Sequence, residues 1–140
     1  PFLSFQLGVL ITKQHSTATR NRMRDAYVAA SPASAVLDLR SGAPAGVGGA
    51  AGGTLLASIT LPATPLSSGT GQVTLNGTWQ DTNANASGTV GHYRLTNGTD
   101  IEEGTVTVTG GGGDLTLDSV SVTAGQTLTI SSWTRTFPAA

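Results

Sequence analysis

Between Gln72 and Phe137 the chain repeats one pattern: short apolar and β-branched runs alternate with Thr or Ser and are cut every eight to twelve residues by Asn-Gly, Gly-Thr or poly-Gly. Alternation with period two puts successive side chains on opposite faces of a strand. Short strands at that spacing are the pattern of an antiparallel all-β sandwich. The expected strands are Val36 to Arg40, Thr54 to Leu61, Gln72 to Gln80, Thr89 to Thr96, Ile101 to Thr109, Asp114 to Val122 as one strand or a pair, and Thr127 to Phe137. With the segment Pro1 to Thr12 they make about eight. The face phases predict a core of Val73, Leu75, Trp79, Tyr93, Val106, Val108, Leu128 and Ile130. Asn97-Gly98 predicts a tight turn between two strands.

The one helical signal lies ahead of the strands. Ser16 or Thr17 can cap a helix over about 17–29, since a short side-chain oxygen accepts from an amide that the first turn leaves unpaired. Thr19, Met23, Ala26, Tyr27 and Ala30 share a face at helical spacing, and Ser31-Pro32 ends the run. Residues 1–15 read as a first strand or an extended arm, and 16–140 as one sandwich domain. Ser41 to Gly53 holds six Gly, four Ala and one Pro. With so little side chain to pack, this loop is expected to move unless a partner covers it.

The 140 residues are enough for one domain that needs no disulfide, and the chain has no Cys, which fits a reducing compartment. The apolar start carries no basic residue ahead of it and is too short to span a membrane, so neither a signal peptide nor a membrane partner is expected. Net charge is −1, and only 11% of residues are charged, against about 25% in ordinary domains. Nucleic acid as the main partner would require a basic excess. From Ser41 to His92 the sole charged residue is Asp81. A surface this neutral is easily covered by protein, because few charges must be desolvated.

Residues that do chemistry are sparse. The only imidazoles are His15, beside the helix cap, and His92, inside a strand, and no G-x-S-x-G elbow occurs. Glu102 and Glu103 are adjacent, so on a strand they face opposite ways and cannot form a carboxylate pair for glycosidic chemistry. Asp81, Asn83 and Asn85 carry oxygens at positions one, three and five of a calcium-type loop, but Ala86 replaces the required Gly and His92 the closing Glu. They are the only metal candidate, and a weak one. Gly46, Gly48, Gly49 and the run Gly110 to Gly113 lack the Lys-Ser/Thr and helix of a phosphate loop. No cofactor is implied. A saccharide site would need exposed aromatics, with Trp133 the one available.

The order of segments resembles small virion proteins of tailed phages. It runs through Ser16-Thr17-Ala18-Thr19-Arg20-Asn21, Thr54-Leu55-Leu56-Ala57 and Gly77-Thr78-Trp79-Gln80-Asp81. It continues with Ala86-Ser87-Gly88-Thr89, Tyr93-Arg94-Leu95, Asp114-Leu115-Thr116-Leu117 and Ala124-Gly125-Gln126-Thr127. The resemblance spans about Ser16 to Thr134 and implies a non-enzymatic structural protein, a capsid cement (decoration) protein with a jelly-roll-like sandwich. Such a protein is made in the host bacterial cytoplasm and sits on the outer capsid surface. Its partners would be the phage major capsid protein and itself, as a homodimer. The alternative is a tail or fibre module that binds a host-surface saccharide. The family supplies no binding residues to carry over, so the contact is placed on physical grounds at the apolar arm (Phe2, Leu3, Phe5) and the basic cluster Arg20, Arg22 and Arg24.

Overall fold

The computed structural model describes residues 14–30 and 34–137. Phe2, Leu3 and Phe5, and with them the reading of the arm, lie outside the described residues. Among the described residues, helix α1 (Thr17–Ala30) is followed by eleven strands: β1 (Val36–Ser41), β2 (Leu55–Thr60), β3 (Leu66–Gly69), β4 (Gln72–Leu75), β5 (Trp79–Asp81), β6 (Gly88–Thr96), β7 (Asp100–Val108), β8 (Leu115–Leu117), β9 (Ser121–Val122), β10 (Leu128–Ile130) and β11 (Thr134–Thr136). The protein is mainly β, a sandwich whose principal sheet runs β2-β1-β6-β7-β8, with β9 pairing the start of β6. Two small sheets, β11-β4-β3 and β10-β5, share one apolar core with it. Among the described residues the strand count exceeds eight because β3 is a strand the alternation did not mark, and because breaks at 76–78, 118–120 and 131–133 divide the runs expected over 72–80, 114–122 and 127–137 into two- to four-residue pieces.

The core follows the alternation. Leu37 and Leu39 of β1, Leu56 and Ile59 of β2, and Tyr93 and Leu95 of β6 meet Val73, Trp79, Leu128, Ile130 and Trp133 from the small sheets. Val106 is buried, Leu75 only partly so, and Val108 is 46% exposed, which corrects its assignment to the core. Val108 is the last residue of β7, where the strand runs past the packed layer into the Gly-rich turn. Ser16 caps α1 as expected, its Oγ accepting from the Thr19 amide at 3.2 Å. The inner face of the helix overlaps the predicted one and is rotated from it: Thr19, Met23 and Tyr27 are half-buried as expected, Ala26 and Ala30 are exposed, and Val28 joins Tyr27 in packing on the core. Tyr27 stacks on Trp133 with ring centres 6.1 Å apart, and Trp133 in turn packs on Trp79 at 5.5 Å.

One pairing breaks the antiparallel rule. β7 and β8 run parallel, with Val106 opposite Leu115 and Val108 opposite Leu117, although parallel neighbours ordinarily need a crossover of a dozen or more residues. Here the chain reverses twice within 109–114. A Cβ on Gly113 would lie 2.9 Å from the Thr107 amide nitrogen, so only glycine lets the return leg lie this close to β7. The Gly113 amide donates to Thr107 Oγ1 at 3.0 Å, and Asp114 Oδ2 accepts from the Thr105 amide at 3.0 Å.

Candidate partner-binding loop

β6 is the central strand of the principal sheet, flanked by β1 and β7. Its inner face carries Tyr93 and Leu95 into the core. The alternate residues, His92 and Arg94, should on the pattern of a one-sided sheet face water, yet both are buried. What covers them is the loop 42–53. Register explains the cluster beneath it: Arg94 sits opposite Asp38 of β1 on one side and Glu103 of β7 on the other, while Arg40 and His92 form the adjacent pair. Cross-strand neighbours on one face lie within side-chain reach. Negative, positive and negative groups therefore alternate across three strands.

These side chains hold the loop by its backbone. Arg94 donates from Nη1 to the Gly49 carbonyl at 2.8 Å and from Nη2 to the Gly46 carbonyl at 3.0 Å, and Nη2 also lies 3.4 Å from Glu103 Oε2. Glu103 accepts from the amides of Ala45 (3.2 Å) and Gly46 (2.7 Å). Arg40 takes the carbonyls of Gly52 and Gly53. His92 Nδ1 lies 2.9 Å from the Gly42 carbonyl oxygen, which fixes the proton on that nitrogen, and its Nε2 lies 3.5 Å from Glu103 Oε1. The loop approaches β6 so closely that a Cβ on Gly91 would lie 2.3 Å from the Gly42 carbonyl oxygen. Burial pushes the Glu103 carboxyl up, but the Ala45 and Gly46 amides and the Arg94 guanidinium outweigh it and hold the group below the ordinary carboxylate range.

Above these anchors the loop is exposed and uncharged. Ala43, Pro44, Ala45, Ala50 and Ala51 face solvent, and Val47 at its tip is 57% exposed. The expectation of a loop that moves unless covered by a partner meets a backbone gripped from within its own chain at Gly42, Ala45, Gly46, Gly49, Gly52 and Gly53. Sequence reading missed this because the signal is nonlocal. Only the order β2-β1-β6-β7 brings Arg40, Arg94 and Glu103 under one loop.

The basic cluster resolves differently. Arg20 donates to the Phe137 carbonyl at 2.8 Å, Arg24 to the Gly69 carbonyl at 2.6 Å, and Asn21 accepts from the Gly71 amide at 2.9 Å. Arg20 and Arg24 thus fasten α1 to the β3–β4 turn and to the segment at Phe137, so part of each guanidinium is engaged within the chain. Arg22 alone of the three is exposed.

Asp81 Oδ2 accepts from the Ser58 amide and Oδ1 from the Asn83 amide, at 2.9 and 2.8 Å. This carboxylate joins β5 to β2 and closes an Asx turn, so both of its oxygens already accept from backbone amides. No group of three His, Asp or Glu side chains among the described residues is placed to hold a metal ion. Glu102 and Glu103 do face opposite ways: Glu102 joins Tyr93 and Arg135 on the core side. Burial first, then Glu102, pushes both the Tyr93 and Tyr27 hydroxyls well above the ordinary tyrosine range. Trp133 is 6% exposed and cannot serve as a sugar platform. No family model, curated protein or solved structure matches this chain.

Proposed function

We propose that the chain is a non-enzymatic virion structural protein of the capsid cement type, which binds the outside of a phage shell and ties neighbouring capsomers together. The observation that carries this reading is the loop 42–53: an exposed, uncharged surface whose backbone is fixed in advance by buried ionic side chains. A surface already ordered loses little conformational entropy on docking, and one without charges costs little to desolvate. Broad, weak contacts repeated over many equivalent sites then add up by multivalency.

The segment order that resembles phage virion proteins supports the same reading. So does the use of His92, which faces a carbonyl and a carboxylate rather than a hydroxyl nucleophile. The shell contact moves from the arginines to this loop. The major capsid protein is the partner, the outer capsid surface the location and a two-fold pair the bridging unit. The rival saccharide module loses its main support with Trp133 in the core.

The test is composition of assembled particles. The chain should co-purify in a fixed ratio to the shell protein, and Val47→Asp should lower its occupancy at least about tenfold, the effect of roughly 1.4 kcal/mol. Absence from particles, or presence without a fixed ratio, would overturn the reading.

A further inference from the structure

The sequence holds two Asn-Gly pairs, Asn76-Gly77 and Asn97-Gly98, and no other Asn is followed by Gly. Asn is a thermolabile residue, and a following glycine makes it more so, because without a Cβ the backbone nitrogen can reach the Asn side-chain carbon. The fold treats the two pairs differently.

Asn76 is tied at three points. Its Nδ2 donates to the Thr64 carbonyl at 2.7 Å, its backbone amide donates to the Pro65 carbonyl at 2.8 Å, and its own carbonyl accepts from Trp79 Nε1 at 3.2 Å. Gly77 lies against Pro62, whose Cγ would be 3.0 Å from an added Cβ. Asn97 instead stands at the tip of the hairpin between β6 and β7. Its backbone amide donates to the Thr99 carbonyl at 3.0 Å, and among the described residues no group is bonded to its side-chain amide. Asn97 and Gly98 are both exposed, and nothing lies within 4 Å of the place a Cβ on Gly98 would take.

We infer that Asn97 is a site of self-modification in the folded protein, converting through a cyclic imide to aspartate and isoaspartate with water as the only co-reactant. The Gly98 nitrogen attacks Asn97 Cγ. An N–Cγ bond forms as the Cγ–Nδ2 bond breaks, and Nδ2 leaves as ammonia with the proton of the Gly98 amide. Water then opens the imide at either carbonyl, with no change of oxidation state. Ring closure needs the Asn side chain and the peptide after it to turn toward each other. At Asn76 that rotation gives up the bonds to Thr64 and Trp79, whereas at Asn97 the side chain has no bond to give up and Gly98 has open space around it. Each conversion adds one negative charge to a formal net charge of −1.

The full chain would be aged at mildly alkaline pH, folded and in denaturant, and the peptides bearing positions 76 and 97 followed by mass. In the folded protein Asn97 should convert at least about tenfold faster than Asn76, a ratio that one or two hydrogen bonds broken before ring closure supply. In denaturant, where both pairs are free, the two rates should converge. Asn76 converting as fast as Asn97 in the folded protein would overturn the inference. So would a folded Asn97 that stays intact while the denatured chain converts at both positions, since the hairpin turn would then be protecting it. Asn97→Gln, with one more methylene between backbone and amide, should abolish the acidic shift of the aged folded protein in native isoelectric focusing, and a shift that persists would overturn the assignment by placing the reaction elsewhere.

Discussion

Two glycine-rich loops of this molecule look alike in sequence and are held by different means. Gly110 to Gly113 is fastened by its immediate neighbours, with Thr107 and Thr105 on β7 and Asp114 at the foot of the turn all within nine residues of one another. The loop 42–53 is fastened by Arg94 and Glu103, which lie about fifty residues away in sequence and sit buried on a central sheet. The first glycine run solves a problem of connection, a parallel neighbour reached in six residues. The second spends buried charge on the backbone of an exposed surface. Burying ions is costly unless they are paired and hydrogen-bonded, and here Arg94 and Glu103 meet that condition largely through the backbone of the loop itself.

The largest effect that would break the contrast is expected at Arg94. Arg94→Ala leaves Glu103 buried without its cation and frees the carbonyls of Gly46 and Gly49. Denaturant unfolding should show a loss of about 3–5 kcal/mol, and a loss under about 1 kcal/mol would mean the cluster is not what secures the loop. Gly91→Ala comes next, since the new methyl meets the Gly42 carbonyl. A cost of about 1–3 kcal/mol is expected from the same measurement, with the loop lifted off β6. Thr107→Val, at the other loop, removes one acceptor for the Gly113 amide and should cost about 1 kcal/mol. Val47→Asp should change stability by less than about 0.5 kcal/mol, because the side chain is exposed. Its consequence belongs to docking alone.

Acid should act on both loops in the same direction. Glu103 is held low by the Ala45 and Gly46 amides and Arg94 against its burial, and Asp114 is held low chiefly by the Thr105 amide. A carboxyl that titrates lower in the folded than in the unfolded chain stabilises the fold fully above its ordinary value, near 4. That stability is lost as pH falls through the folded value. Stability should therefore be flat from neutral pH down to about 5 and fall below it. Glu103→Gln and Asp114→Asn should each make the fall shallower.

Local rules in the sequence carried a good part of the fold. Ser16 caps the helix, Asn97-Gly98 turns β6 into β7, and alternation places Trp79, Tyr93, Leu128 and Ile130 in the core. What stayed out of reach depends on which strands become neighbours. His92 and Arg94 read as outward residues because alternation cannot tell a solvated face from one covered by a loop fifty residues earlier. Arg20 and Arg24 read as a free basic patch because the carbonyls of Phe137 and Gly69 that they satisfy come from distant turns. The parallel step into β8 was hidden because it depends on glycines tolerating contacts with Thr107 that no other residue could make.

Amide hydrogen exchange on the free protein tests the central claim most directly. The Ala45 and Gly46 amides donate to a buried carboxylate, so they should exchange far more slowly than the amides of Val47 and Ala50 in the same loop, and Glu103→Gln should speed up Ala45 and Gly46 selectively while core amides of β6 stay protected. Ala45 and Gly46 exchanging as fast as Val47 and Ala50 in the unaltered protein would contradict the account, since the loop would then be unfastened and no surface would be prepared in advance.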